Sequence, residues 1–185
     1  MDDTRGEVMT YNGRLVIAYF HANSGGFTED ARNVWVADLP YLRGVRDPFS
    51  QNIPKGEWKI YLPYRTVQDR LNRYGLNVGN ISGILVCDVT DSGRPQRIVV
   101  ISSLGKTELK SNDFRIKIGP TRLKSKLFHL YEEKDGLLIN GKGFGNGVGM
   151  SQSGPYQMAK AGHNYREILS YYYKGIHLSN LISSR

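Results

Sequence analysis

Residues 141–162 read GKGFGNGVGMSQSGPYQMAKAG, with glycine at every second position from 143 to 149. Glycine adopts positive φ and lets other backbone come close. One interpretation is a tightly packed corner in which only glycine fits. The other is a strand-like run with one face stripped of side chains, which would give a shallow backbone floor for a flat polar ligand such as a sugar. The spacing leaves both interpretations open.

The residues after this run predict a helix, with Ser151 or Ser153 as its N-cap and Gly162 just past its end. A glycine-rich turn that leads into a helix presents backbone N–H groups to an acceptor. A phosphate loop is excluded because the chain contains no GxxxxGK[ST] sequence. A dinucleotide site is disfavoured because GKGFGNG lacks the third glycine at the required spacing.

A second polar stretch that contains glycine, HANSGGFTED, spans residues 21–30. It follows the nearly continuous apolar run LVIAYF at 15–20, which predicts a central buried strand. Loops at the ends of rigid strands often carry function. The candidates are His21, Ser24, Thr28 and Glu29. The alternatives are a hydrogen-bonded histidine at a strand end and a plain turn at Ser24-Gly25-Gly26.

Both stretches resemble the signatures of the stage II sporulation protein D family. The central signature is similar to AYFHANSGGFTEDARNVWVADLPYLRGVRDPFS at 18–50, and the C-terminal one to the glycine-rich stretch followed by YREILSYYYKG. The resemblance covers residues 4–176. It implies cleavage of peptidoglycan glycan strands, stripped of stem peptides, in cell-wall remodelling or sporulation. As in lytic transglycosylases, one carboxyl group protonates the glycosidic oxygen and then takes the proton of the sugar's own 6-hydroxyl.

The resemblance implies a glycan-binding surface built from both blocks. Its backbone amides and short polar side chains would hold N-acetyl groups. Glu29 is the local candidate for the catalytic acid, and the alternative is that it orders the loop. The expected binding residues are His21, Ser24, Gly25, Gly26, Thr28, Gly145, Asn146, Gly147, Gly149, Met150, Ser151 and Gln152.

Two departures from the family pattern qualify this expectation. Asn146 stands where the family usually has histidine, and the family's catalytic glutamate lies in an upstream Gly-Glu-Met-Pro-type motif that this sequence does not contain. We therefore expect the C-terminal part of a longer protein of the cell envelope, truncated at its N-terminus, with its signal or anchor upstream. The alternative function is a non-catalytic module that binds the wall or enhances an amidase, with a cell-wall amidase or other sporulation hydrolase as partner.

The composition limits which partners, metals and cofactors the chain can use. The 185 residues include 25 Lys and Arg and 17 Asp and Glu, a net charge of +8 that suits an anionic partner such as a wall polymer. The basic residues form no long run, so we expect no nucleic-acid partner.

Cys87 is the single cysteine and is predicted to be a buried strand thiol. Some family members place zinc beside the first block using cysteine, but Asn23 and Ser24 stand here, so we expect no metal and no cofactor.

The patterning predicts an α+β fold with a mainly antiparallel β core, a few short helices and a small α+β insertion. Helices are expected at 64–74, from 111, and at 165–173 with Asn164 as N-cap. A hairpin is expected within 84–102. We predict one domain, 1–185, with a possible inserted lobe at 57–131.

Overall fold

The computed structural model describes residues 4–35, 38–54 and 56–181, and the ends of the predicted domain lie outside this set. The fold is α+β, as predicted. Its strands are β1 Glu7–Tyr11, β2 Arg14–Leu15, β3 Phe20–His21, β4 Glu57–Pro63, β5 Ile81–Val89, β6 Pro95–Ser102, β7 Gly105–Lys110, β8 Phe128–Glu133, β9 Gly136–Lys142, β10 Met150–Ser151 and β11 His177–Asn180. Its helices are α1 Tyr64–Arg73, α2 Ser111–Ile118, α3 Ser153–Lys160 and α4 Tyr165–Tyr172, with 3-10 turns at Ala31–Asn33, Pro40–Leu42 and Pro48–Ser50.

One apolar core lies between two antiparallel sheets, ordered β4-β9-β8 and β5-β6-β7. Helix α1 contributes Val67 and Leu71, which are one turn apart and fully buried, while its charged residues face outward. The β5–β6 hairpin forms where it was predicted, and its turn lies at residues 90–94. The core draws on residues between Trp58 and Ile139. The bounds 57–131 for an inserted lobe stay a prediction.

A second apolar core lies under the two sequence blocks. It joins the 3-10 turns and helices α3 and α4 around Leu42, Val148 and Tyr172. Helix α4 begins at the predicted Asn164, whose side chain accepts from the backbone N–H groups of Arg166 and Glu167, completing a capping box. Strands β3 and β10 pair in parallel, whereas β11, β1 and β2 form an antiparallel sheet.

Three local predictions were wrong. The run 15–20 is not a central strand, because only its ends pair and Leu15, Ile17 and Phe20 are 63%, 55% and 59% exposed. Cys87 is half-buried, because it lies on an outer part of β5. Helix α3 follows Gln152, and neither Ser151 nor Ser153 caps it. None of the described helices is long and apolar enough to cross a membrane.

Candidate functional site

Backbone hydrogen bonds join the two sequence blocks. Residues 20–29 run beside residues 144–153. Asn23 and Phe144 exchange two N–H to carbonyl bonds of 3.0 and 2.8 Å. The Glu29 N–H donates to Gly147, and the Gln152 N–H donates to His21, each at 2.8 Å. Two loops that are about 120 positions apart in sequence therefore form one unit, as expected from the resemblance.

The alternating glycines form a packed corner. Gly143, Gly145, Gly147 and Gly149 all have positive φ, and residues between β9 and β10 make only isolated bridges. A Cβ at Gly149 would lie 2.0 Å from the carbonyl oxygen of Tyr19, and one at Gly143 would lie 2.6 Å from that of Asn23. The missing side chains thus make room for the first block. The strand-like run with a bare face is not formed.

Buried hydroxyl groups hold the centre of this unit. Ser24 Oγ donates to Asp47 Oδ2 at 2.7 Å, and Tyr172 OH donates to Asp47 Oδ1 at 2.8 Å. Ser151 Oγ accepts from the Ser24 N–H at 3.2 Å and lies 2.7 Å from Ser50 Oγ. All these side chains are buried. Ser24 and Ser151 therefore fix the loop from inside, and Asp47 is the acceptor that organises them.

Glu29 is 1% exposed and bound on both carboxylate oxygens. Oε1 accepts from the Asp30 N–H and from Asn33 Nδ2, both at 2.9 Å. Oε2 accepts from Thr90 and Ser92 hydroxyls at 2.9 Å, which belong to the turn of the β5–β6 hairpin. This arrangement supports the alternative that Glu29 orders the loop. Its assignment as catalytic acid stays a prediction.

Two buried cations accompany Glu29. Arg94 Nη1 donates to the Phe27 carbonyl at 2.8 Å, and Nη2 donates to the Ser24 carbonyl at 2.7 Å. Lys126 Nζ donates to the Asn33 carbonyl at 3.2 Å. Burial lowers the pKa of Arg94 to about 10 and that of Lys126 to about 8, and the charge of Glu29 opposes both shifts. A buried ionic cluster therefore joins the hairpin turn to the first block.

His21 is buried in the same region. Its Nδ1 lies 3.1 Å from the Val148 carbonyl oxygen. Burial is the main cause that lowers its pKa to about 4, and the positive charge of Arg94 adds to the shift. The imidazole is therefore neutral near pH 7. Among the described residues, no group of three His, Cys, Asp or Glu side chains could hold a metal ion.

The expected binding residues divide by exposure. His21, Ser24, Gly26, Thr28, Gly147, Gly149 and Ser151 are buried. Thr28 is also used internally, because its Oγ1 accepts from the Val45 N–H at 2.9 Å. Those that reach the surface at least in part are Gly25, Gly145, Asn146, Met150 and Gln152. The binding role of each residue stays a prediction, and only this second group is exposed enough to contact a ligand directly.

A groove runs past Gly25. Gly25, Gly26, Arg46, Gln51 and Tyr171 help to line a cavity of about 710 Å³, which we call the central cavity. Gly25 and Gln51 also line a smaller cavity of about 190 Å³, together with Glu57 and Lys142. The two cavities therefore lie side by side, with Gly25 and Gln51 between them. Arg46 and Gln51 are exposed and supply polar groups to this groove.

Several of these residues were not predicted from the sequence. Asp47, Arg94 and Lys126 gave no signal, because their partners are far away in sequence. Gln51 directly follows Ser50, the last residue of the first block, and this position was the only sequence signal for its role.

The chain is similar to several curated proteins, although no family model matches it. It is 34% identical over 176 residues to stage II sporulation protein D of Bacillus subtilis, covering 95% of this chain and 49% of that protein. It is 34% identical to an uncharacterized protein of Brachyspira hyodysenteriae, covering 95% of this chain and 46% of that protein. An amidase enhancer of Bacillus subtilis is 25% identical over 228 residues, covering 97% of this chain and 32% of that protein. The chain spans about half the length of the first two relatives.

Proposed function

Since this chain belongs to the stage II sporulation protein D family, we propose that it binds peptidoglycan glycan strands stripped of stem peptides, at the cell envelope, in sporulation or cell-wall remodelling. The groove past Gly25 is the proposed binding surface. A relative is named a stage II sporulation protein, which supports the sporulation-related setting.

The observation that carries the proposal is that two neighbouring cavities share Gly25 and Gln51 in their linings. A polymer needs a groove that is open at its ends. A sugar needs apolar surface for its ring faces and polar groups for its hydroxyl and N-acetyl groups. Phe27 and Tyr171 supply the aromatic surface, and Arg46 and Gln51 supply the polar groups. The net charge of +8 suits an anionic wall polymer.

We further propose that the full-length protein cleaves the strand as a lytic transglycosylase does. It requires one carboxyl group in a desolvated position, because the general acid must be protonated at the working pH. Among the described groove residues, the carboxylates are Glu57 and Asp91. Both are exposed, and Glu57 is paired with Lys142 at 3.0 Å. We therefore propose that the described residues bind the strand and that cleavage uses a carboxyl group outside them.

A second candidate function is the enhancement of a cell-wall amidase without catalysis. The similarity to a protein named amidase enhancer favours it. In that case the groove would hold the glycan while the partner amidase acts on it. Binding to glycan is common to both functions, and the appearance of 1,6-anhydro products separates them.

The binding proposal is tested with peptide-free glycan strands and purified chain. Arg46→Ala and Gln51→Ala each remove one exposed groove side chain. We expect each to weaken binding about fivefold, the effect of one lost hydrogen bond of roughly 1 kcal/mol. Arg73→Ala, at the exposed end of α1, is the charge-matched control. Equal affinity in all three variants and the wild type would refute the groove as the binding site.

The catalytic step is tested by mass spectrometry of the same strands after incubation. The proposal expects no 1,6-anhydro product from this chain alone and expects product from a version extended upstream. Product from this chain alone would place the acid within it, and Glu57→Gln and Glu29→Gln would then be compared. If the extended version gave no product but raised the activity of an added cell-wall amidase, the enhancer function would replace cleavage.

A further inference from the structure

A third cavity lies beside the groove, on the outer face of the sheet β4-β9-β8. It has a volume of about 470 Å³ and we call it the distal cavity; its lining residues are Glu57, Trp58, Lys59, Leu127, His129, Asn140, Gly141 and Lys142. Glu57 and Lys142 also line the small cavity next to Gly25, and Leu127 also lines the central cavity. The groove therefore continues onto the sheet.

The strand register explains why polar side chains collect here. Lys59, Asn140 and His129 pair across the three strands, so their side chains project from the same outer face. The neighbouring row, with Trp58 and Gly141, faces the core. At about 3.3 Å per residue, Glu57 and Lys59 lie about 7 Å apart along β4, and both line the distal cavity. The cavity therefore runs along the sheet for about the length of one sugar.

One side chain in this wall has an unused hydrogen-bonding atom. Asn140 Oδ1 is buried and has no hydrogen-bond partner among the described residues. Gly141 is required beside Trp58, since a Cβ there would lie 2.2 Å from the indole ring. An N-acetyl group carries one amide N–H donor, which complements this acceptor. Buried polar atoms without partners are rare and point to a ligand or a solvent site.

We propose that the distal cavity binds a further N-acetylated sugar of the strand held in the central cavity. The inference rests on the proposed function and adds that the chain selects strands over short fragments. Lys59, which is exposed at the cavity wall, donates to a sugar hydroxyl, and Asn140 accepts from the N-acetyl N–H. Each sugar bound beyond the central cavity then adds affinity.

The test compares peptide-free glycan fragments of two and six sugars by calorimetry. In the wild type, we expect the six-sugar fragment to bind at least about tenfold more tightly than the two-sugar fragment, because it gains at least one more set of hydrogen bonds. Lys59→Ala and Asn140→Ala are each expected to weaken the six-sugar fragment about fivefold and to leave the two-sugar fragment unchanged. Lys106→Ala, an exposed lysine on the edge strand β7, is the matched control and should change neither.

The outcomes separate this inference from the proposed function. If neither fragment binds the wild type, the proposed function fails and the inference fails with it. If both fragments bind but Lys59→Ala and Asn140→Ala leave the six-sugar affinity intact, only the inference is overturned. A loss of two-sugar affinity in these variants would also overturn it, since the first sugars would then bind on the sheet. Lys59 is exposed, so its variant should fold even if Asn140→Ala does not.

Discussion

Replacing Glu29 with glutamine tests whether a buried ionic cluster holds the first block in place. Glutamine keeps the volume of Glu29 and can still accept from the Asp30 N–H and from Asn33 through one oxygen. It removes the negative charge that faces Arg94 and Lys126, which are each 1% exposed. Both cations would then be buried without a counter-charge.

The size of the effect follows from the loss of this charge. Hydrogen bonds to a buried charged group, such as those that Thr90 and Ser92 donate to Glu29, are worth about 1.5–3 kcal/mol each. Because glutamine retains part of the hydrogen bonding, we expect about 3 kcal/mol, which is a large share of the roughly 5–15 kcal/mol that stabilises a typical domain. At about 2–4 °C per kcal/mol for a chain of this size, the melting temperature should fall by about 6–12 °C.

The assay is urea unfolding at pH 7 and at pH 9.5, followed by fluorescence and circular dichroism. Burial lowers the pKa of Lys126 to about 8 from the ordinary lysine value of 10.5. The folded chain therefore loses this proton before the unfolded chain does, and the cost of burying the charged amine is relieved as pH rises from about 8 towards 10.5. The destabilisation by Glu29→Gln should accordingly be smaller at pH 9.5 than at pH 7.

The control is Glu108→Gln. Glu108 pairs with Arg97 at 2.8 Å on the surface, where both side chains are about half exposed. An exposed ion pair contributes about 0–1 kcal/mol. If Glu29→Gln destabilises the chain no more than Glu108→Gln does, or if its effect grows with pH, the buried cluster does not hold the block as argued. A stable Glu29→Gln variant that loses cleavage in an extended protein would instead indicate the catalytic role.

Three further perturbations probe the same unit. Burial lowers the pKa of His21 to about 4, so as the pH falls the unfolded chain takes up the imidazole proton before the folded chain does. The contribution of the neutral His21 to the free energy of unfolding should be complete above pH 6.5 and fall by about 3 kcal/mol towards pH 4. In urea titrations at different pH, His21→Gln should flatten this pH dependence. Tyr172→Phe removes the hydroxyl that donates to the buried Asp47 carboxylate, and should lower the stability measured by thermal unfolding by about 1–3 kcal/mol. Tyr171→Phe removes a hydrogen bond at the surface and should cost less than about 0.5 kcal/mol. Equal losses of stability in the two variants would contradict this reasoning. Gly149→Ala should lower the free energy of unfolding by about 3 kcal/mol or more, because its Cβ would lie 2.0 Å from the Tyr19 carbonyl oxygen. Gly13→Ala should lower it by only about 1 kcal/mol, because Gly13 also has positive φ but no atom lies near its Cβ position. A similar cost for both variants would mean that backbone conformation alone matters.

Elements with a complete local pattern were predictable. The apolar residues of α1 recur at helical spacing and Gly75 ends the pattern, so its position was predicted closely. Strands β5 and β6 alternate on either side of a turn, and Asn164 carries the side chain that its cap requires. Each of these elements depends on residues within about twenty positions of one another, joined by one helix or one tight turn, which is the range that sequence patterns report.

The run at 15–20 shows where such patterns fail. Its apolar composition matches a buried strand, but composition does not specify what covers a strand. In the structure Val16 donates to Met9, Tyr19 donates to Ile17, and Ile17 and Phe20 are largely exposed. The backbone turns within the run because β2 must return towards β1 and β3 must reach β10. Those two pairings are tertiary and leave no local signal.

The contact between the two blocks was predictable, but the chemistry inside it was not. The two blocks were expected to meet, and they do. Glu29 was recognised as the carboxylate of the first block, yet its partners Thr90 and Ser92 lie 61 and 63 positions away. No spacing rule connects a loop to the turn of a distant hairpin. A buried carboxylate in a matched block can therefore be proposed from the sequence, whereas the distant groups that it binds cannot.

The hairpin turn makes the region between the blocks part of the site. Arg94 donates to the carbonyl groups of Ser24 and Phe27 and lies against Gly147, where a Cβ would come within 2.9 Å of its guanidinium group. Glu29 accepts from the same turn. The conformation of residues 24–29 thus depends on where β5 and β6 place their turn. Since Gly25 lines both groove cavities, the sheet that carries Arg94 also sets the shape of the proposed glycan groove.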